Sequence, residues 1–558
     1  MRSPFSRRRF LELLGQATLG GALSGCGRGA ARGGGVDPVP AHITGGIVGA
    51  SRELGHRLRT GDLPEPSTVR DVPVVIAGAG IAGLSAGWQL MRRGFRDFEI
   101  LELESTPGGN SRSSANAVSA YPWGAHYLPV PTEESTLVRE LLDEMGLILD
   151  TLDDGTPVYD ERHLCHDPDT RLFLYGRWQE GIFPGLGMGP EDVAHATAFD
   201  AEVERLRGWR DGAGRKAFSL PVAESSQDPE LLALDRLSMG DYLAQRGWTS
   251  ERLRWAVEYG CRDDYGSTLE QTSAWAGLHY FASRPCVDAE LFTWPEGNGR
   301  LVDHLCGRIG DRIRTSHLVF GVRPLGPSEQ GGVEVDVFDT VAEVSHRLRA
   351  RRMIYALPRF TAPYVLEGYA LEGLRTFTYS PWVVANLTVD HLPTDRWVTE
   401  GTSADPRWGL DSTWDNVAHG SPSLGYVVAT HQNLRGGRGG LEPSVLTWYL
   451  PMVDADPTEA RRTMEQRSWD AWVLDILADL EPMHPDIRQR VQHVDVMLWG
   501  HAMIRPTPGF LWGEARRRAA EPYGAVHFAH SDMSGLSLFE EAQWQGVRAA
   551  EHVLALSS

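Results

Sequence analysis

The run Val72-Pro73-Val74-Val75-Ile76-Ala77-Gly78-Ala79-Gly80-Ile81-Ala82-Gly83 decides how this chain is read. Its first half is short and continuously apolar, the mark of a parallel strand buried on both faces. Its second half is G-x-G-x-x-G, placed where that strand ends and a helix predicted over 81–93 begins. Each glycine has its own task. Gly78 permits the tight turn, Gly80 lets backbone approach a diphosphate closely, and Gly83 lets helix and strand pack. The amides of Ile81, Ala82 and Gly83 lie at the positive end of the helix, which suits an anion. A second apolar strand over 98–103 completes a βαβ unit, and Glu102 lies near its end. An acid there accepts hydrogen bonds from ribose hydroxyls and disfavours a 2′-phosphate. Strand, glycines and acid together predict a dinucleotide site. The bland alternative is a glycine-rich turn in an α/β protein.

Further motifs follow the ribose acid. Pro107-Gly108-Gly109-Asn110-Ser111-Arg112 comes next, then Trp123-Gly124-Ala125-His126-Tyr127. Trp294-Pro295-Glu296-Gly297-Asn298-Gly299-Arg300-Leu301, Thr315-Ser316-His317-Leu318-Val319 and the run 354–358 lie in the middle of the chain. Near the end stands Phe528-Ala529-His530-Ser531-Asp532, ahead of a helix predicted over 539–550.

With these motifs the chain resembles the flavin amine oxidase superfamily, which includes monoamine and polyamine oxidases, protoporphyrinogen oxidase and phytoene-desaturase-like enzymes. The resemblance covers almost the whole chain beyond its leader. It implies a non-covalently bound FAD. Gly108, Gly109 and Arg112 would cross the flavin and its phosphates, with Asn110 standing where the family has arginine and Arg112 supplying the charge. Gly124, Ala125 and His126 would pass close to the isoalloxazine ring, and the Val319 backbone would meet adenine. Asp532 would hold the ribityl or phosphate region. The helix starting at Phe539 would aim its first amides at the flavin edge where charge develops on reduction.

The resemblance also implies hydride transfer from substrate to flavin N5, the protein supplying geometry and a dry pocket. Two features of the amine oxidases are missing. The chain has one lysine, Lys216, and Ala385 or Asn386 stands near the position of the family's flavin-side lysine. Leu538 takes the place of one of the aromatic residues that cage the amine, and the other is sought near 499–503. No cysteine lies near Pro508, so no covalent flavin link is expected. His126, His501 and His530 are the candidate proton acceptors; the alternative for each is a structural histidine. Trp382, Trp408, Trp414 and Trp448 suggest an apolar or cation-binding pocket, though most are expected in the core.

Asp and Glu number 74 against 54 Lys and Arg, a net charge of -20, which argues against nucleic acid as a partner; an acidic surface could concentrate a cationic substrate such as a polyamine, but a solvated acidic face is the commoner reading. The glycine-rich loop 436–440 alone is poor evidence for RNA binding. The N-terminus, Ser6-Arg7-Arg8-Arg9-Phe10-Leu11 followed by a Gly- and Ala-rich stretch, resembles a twin-arginine export signal. It ends Leu23-Ser24-Gly25-Cys26, which looks like a lipoprotein processing site whose cysteine carries a lipid and anchors the exported protein to a membrane. The alternative is an ordinary cleaved signal. Cys165, Cys261, Cys286 and Cys306 show no metal spacing, and buried thiols are the default, with one or two disulfides the alternative.

The expected fold class is α/β, a Rossmann-type FAD-binding domain interwoven with an α+β substrate-binding domain. The expected order is a signal over 1–25, a linker over 26–70, FAD-binding parts over 71–133, 285–370 and 490–558, and substrate-domain parts over 134–284 and 371–489. The leading function is an amine or polyamine oxidase; the alternatives are a desaturase of a lipid-like or isoprenoid C–C bond and a non-catalytic FAD-containing lipoprotein. The sequence does not give an oligomeric state.

Overall fold

The strand Thr68–Ala77 runs through the middle of a seven-stranded sheet, parallel to Phe98–Leu101 on one side and to Val344–Tyr355 on the other. The computed structural model describes residues 38–167, 169–284, 290–396, 413–432 and 442–556. The strand order is Ile313–Arg314, Phe98–Leu101, Thr68–Ala77, Val344–Tyr355, Val333–Asp339 and His317–Pro324. Val344–Tyr355 is long enough to pair Val333–Asp339 with its first half and Val526–Phe528 with its last three residues.

The helix Ile81–Arg92 follows the glycine turn and is buried from Ile81 to Leu90. It is sandwiched rather than amphipathic, because the C-terminal helix Phe539–Ala555 packs on it as the sheet does. Two glycines allow this. A Cβ on Gly546 would lie 2.1 Å from the Ala82 carbonyl oxygen, and one on Gly87 would lie 2.8 Å from the Ile100 side chain.

A second, eight-stranded sheet has the order Thr44–Gly49, Val491–Ile504, Tyr379–Val389, Ser444–Pro451, Tyr426–Val428, Asp415–Ala418, Thr170–Leu174 and Arg177–Glu180. Tyr379–Val389 is an interior strand and is almost wholly buried, which explains its unbroken apolar run. Helices between Pro190 and Ala282 form a separate apolar cluster around Phe199, Trp275 and Leu253. The result is a Rossmann-type α/β domain interwoven with a mixed α+β domain.

Two expected boundaries are corrected. The linker assigned to 26–70 is built into the body from Thr44 on: Thr44–Gly49 pairs in parallel with His493–Leu498, and the helix Arg52–Thr60 follows. Gly45 makes that pairing possible, since a Cβ there would fall 1.9 Å from the Val494 carbonyl oxygen. Glycine and proline content suggested a tether, but a short edge strand buries little side chain and leaves little apolar periodicity to read. Likewise Val491–Ile504 belongs to the second sheet, and the Rossmann part resumes only at Val526–Phe528.

Among the described residues no helix is long and apolar enough to cross a membrane. Cys165, Cys261 and Cys306 are free thiols, so they carry none of the disulfides allowed above. The leader with Cys26, together with Cys286, Trp408 and the loop 436–440, lies outside the described residues.

Candidate functional site

At the glycine turn the backbone does what the spacing requires. Gly78 has φ +95°, and a Cβ on Gly83 would stand 1.9 Å from the Gly78 carbonyl oxygen, whereas a Cβ on Gly80 would meet nothing within 4 Å. The middle glycine therefore faces open space at the mouth of the helix, the cradle a diphosphate needs. The second glycine pair closes beside it: Gly80 bridges Gly108, and the Gly108 amide donates to the Ala79 carbonyl at 2.8 Å.

The acid and the arginine stand around this cradle. Glu102 accepts from the amides of Ala79 at 2.7 Å and Glu104 at 2.9 Å. Burial pushes its carboxyl up, and those two amides pull it back. Arg112 is buried, pairs with Glu104 at 3.1 Å, and has its guanidinium 5.3 Å from the centre of the Trp499 ring. Its buried Nε has no hydrogen-bond partner among the described residues. A buried donor left without an acceptor is a costly arrangement that a ligand oxygen relieves. The residues present fit a dinucleotide cofactor.

The turn Gly124-Ala125-His126 is tied to these loops. The Ala125 amide donates to the Asn110 carbonyl at 2.9 Å, the Trp123 amide donates to the Arg112 carbonyl at 2.9 Å, and the Asn298 amide donates to the Ala125 carbonyl at 3.1 Å. A Cβ on Gly124 would lie 2.4 Å from the Asn110 carbonyl oxygen. Three separated sequence motifs thus form one wall. Beyond it opens a cleft bounded by Gly124, His126, Trp382, Tyr449, Trp499 and Phe539. Phe539 is the first residue of the C-terminal helix, so the N-terminus of that helix faces the cleft.

His126 stacks on Tyr449 and Trp414 lies 5.5 Å from it, centre to centre. On the same walls a second, much smaller chamber is lined by Tyr259, Asp263, Trp414, Asp415 and Tyr449. Its acids come from two elements, the helix Glu251–Tyr265 and the strand Asp415–Ala418. Tyr127 donates to Asp263 at 3.2 Å and to Asp264 at 3.3 Å, and Tyr259 donates to Asp415 at 3.5 Å. Arg284 pairs with Asp264 at 3.2 Å. Burial, and then the neighbouring Asp264, push Asp263 up to about 7. Burial, and then Asp263 and Asp169, push Asp415 well above the usual carboxylate range. The Arg284 guanidinium thus acts on Asp263, Asp264 and Glu540. Sequence reading missed this cluster because a pair of acids near a helix end looks like a solvated face.

The three candidate histidines part company. Only His126 borders the cleft; burial lowers it to about 4, and its Nδ1 lies 3.2 Å from the Gly124 carbonyl. His501 stacks on Phe360 at 4.1 Å, away from the cleft, and is lowered to about 3 by burial and then Arg461. His530 accepts from the Asp532 amide at 3.2 Å and caps a short turn. A bulge accounts for His501: the pairing of this strand with Tyr379–Val389 shifts between Trp499 and Met503, so Trp499, Ala502 and Met503 line the cleft while His501 faces the other way.

Asp532 is buried and already engaged, accepting from the Arg359 amide at 2.8 Å and from Tyr379 Oη at 2.6 Å. Burial alone would raise it, but His530, the Arg359 amide and Tyr379 hold it low. Val319 is buried in the strand His317–Pro324, paired with Val337. Lys216 pairs with Glu133 at 2.8 Å and Glu134 at 2.6 Å and does not border the cleft. On the strand Tyr379–Val389, Trp382 and Val384 line the cleft, while Asn386 donates to the Pro122 carbonyl at 3.0 Å. Trp448 lies in the core and donates to Asp479 at 2.8 Å.

Residues 76–145 match the family model of an NAD(P)-binding Rossmann-like domain. No curated protein matches the chain in sequence. Among solved structures, a putrescine oxidase bound to putrescine is 16% identical over 87% of this chain and 100% of its own, with a TM-score of 0.61. Cyclohexylamine oxidase from Brevibacterium oxydans IH-35A is 18% identical over 88% of this chain and 100% of its own, with a TM-score of 0.59. The chain has the fold of these amine oxidases. A CLA-producing fatty acid isomerase from P. acnes shares it too, at 15% identity over 86% of this chain and 98% of its own, with a TM-score of 0.56. The amine oxidase fold thus hosts unlike substrates, and the site must decide between them.

Proposed function

We propose that this protein is an FAD-dependent oxidoreductase that oxidises an amine, with a polyamine or diamine as the preferred class. One observation carries the reading: Asp263 and Asp415, two acids with raised pKa values, line an aromatic chamber that shares walls with the cleft, and Asp263 borders both. Burial and their neighbouring acids disfavour the charged forms of both carboxyls, so a ligand that brings positive charge is favoured there, and aromatic faces add to that preference. The solved neighbours include an oxidase with putrescine bound, which supports the same substrate class.

The amides of the glycine turn, Glu102, Arg112, Gly124 and Ala125 would hold FAD, and Phe539 would bring the helix N-terminus beside it. When bound, that cofactor supplies a hydride acceptor. The chain's residues do the rest. Trp382, Tyr449 and Trp499 enclose the substrate and exclude water, and the acids fix its charged end. A neutral His126 forms part of the wall on both sides.

The leader completes the proposal: export by the twin-arginine route after FAD loading, then anchoring through a lipid on Cys26 in an extracytoplasmic compartment. Fatty-acid labelling that disappears in Cys26→Ser supports the anchor, and labelling that persists refutes it. For the activity, peroxide release is measured across a panel of amines and lipophilic alkenes. Turnover of diamines or polyamines supports the reading, and turnover confined to the alkenes overturns it.

A further inference from the structure

Away from the cleft, three metal-ligand side chains from three elements meet at the edge of the Rossmann sheet. His527 lies at the centre of Val526–Phe528, His552 in the last turn of the C-terminal helix, and Glu329 between the strands His317–Pro324 and Val333–Asp339. Their ligand atoms all lie within 4.8 Å of one another. Glu329 Oε2 is 3.1 Å from His552 Nε2 and 3.8 Å from His527 Nδ1.

The second observation is His527 itself. It is 2% exposed, and neither ring nitrogen has a hydrogen-bond partner among the described residues. Glu329 Oε2 is also buried and not aligned for a hydrogen bond, despite its closeness to both rings. Buried imidazole nitrogens normally find partners, so this set of facing but unbonded donor atoms calls for one.

We propose that Glu329, His527 and His552 bind a divalent transition-metal ion, zinc foremost, which pins the C-terminal helix to the Rossmann sheet. Two imidazoles and a carboxylate suit zinc better than calcium or magnesium, which prefer all-oxygen sites. Tetrahedral bonds of about 2.0–2.1 Å place donor atoms about 3.3 Å apart, and the two separations to Glu329 straddle that value. Partial exposure of His552 and Glu329, 39% and 36% of their side chains, provides an entry path and room for water as the fourth ligand. Arg352 and Arg548 also face His527 and oppose a cation, which places the affinity below that of a closed site with four protein ligands. Because the same helix begins at the cleft, the metal would steady the element that carries Phe539.

The test uses the untagged, flavin-loaded full chain, stripped with chelator and titrated with zinc chloride. One zinc per chain is expected, with a rise in thermal midpoint on adding zinc. Glu329→Gln and His552→Gln should each weaken binding by roughly 10-fold or more, since loss even of an outer-shell partner costs roughly 10–100-fold. Both sites are partly exposed, so these variants avoid the folding risk of changing His527. Absence of saturable zinc binding in the micromolar range, or unchanged affinity in either variant, overturns the proposal.

Discussion

The His126 imidazole lies over the Tyr449 ring, centres 4.4 Å apart and planes 20° from parallel, and the pair borders both the cleft and the acid chamber. Burial keeps that imidazole neutral at neutral pH, because its pKa is lowered to about 4. A neutral ring clamped by stacking serves as a shaped wall. His126→Phe should therefore keep kcat/KM within about 10-fold, the scale of one aromatic pair. A loss of roughly 100-fold or more would mark His126 as a proton acceptor instead.

Asp263→Asn removes charge from the chamber while keeping the shape. The variant should lose roughly 10- to 100-fold in kcat/KM for a diamine, the scale of one charge-assisted hydrogen bond. Turnover of a monoamine too short to reach the chamber should change little. Equal losses for both substrates would remove the chamber from the specificity argument.

The pH profile follows from the same residue. Asp263 is raised to about 7, so its carboxylate, the form that attracts an ammonium group, is depleted below that pH. For a diamine, kcat/KM should rise with pH through an inflection near 7. In Asp263→Asn this limb should vanish; its persistence there would assign it to another group.

The glycine turn gives a spectroscopic prediction. A methyl group on Gly83 would collide with the Gly78 carbonyl oxygen at 1.9 Å. Gly83→Ala should purify without the yellow of bound flavin or fail to accumulate. A variant with normal colour and stability would show that the turn is not a diphosphate cradle.

The N-terminal segment meets the cofactor domain at several residues, among them Leu58 against its core, Arg57 over Phe338, and Ser51. Ser51 donates to Glu104 from its amide at 2.7 Å and its hydroxyl at 3.1 Å, and Glu104 in turn holds Arg112. Deletion through Thr60 should speed flavin loss on dilution, whereas deletion through Val39 should not. Flavin retention is read by fluorescence of the released cofactor, and equal retention in both truncations would contradict the role given to Ser51.

What the sequence revealed depended on whether the physics was local. The strand, glycine turn and helix at 72–92 are coded within one short stretch, and the structure places them there. The motifs around Gly108, Gly124 and Phe539 were readable because close backbone approach demands glycine, or a helix start, at fixed points. The acid chamber was hidden, since Asp263 and Asp415 meet only when a helix of one segment packs beside a strand of another. Thr44–Gly49 escaped notice for a related reason: its partner strand lies near the other end of the chain.

The most direct measurement is an anaerobic titration of the purified, yellow protein with a short diamine, followed in the visible flavin band. Stoichiometric bleaching is expected at neutral pH, much slower in Asp263→Asn, with recovery of colour on admitting oxygen. A colourless protein that takes up no FAD, or bound flavin that dithionite bleaches but no amine reduces, would contradict the proposed function.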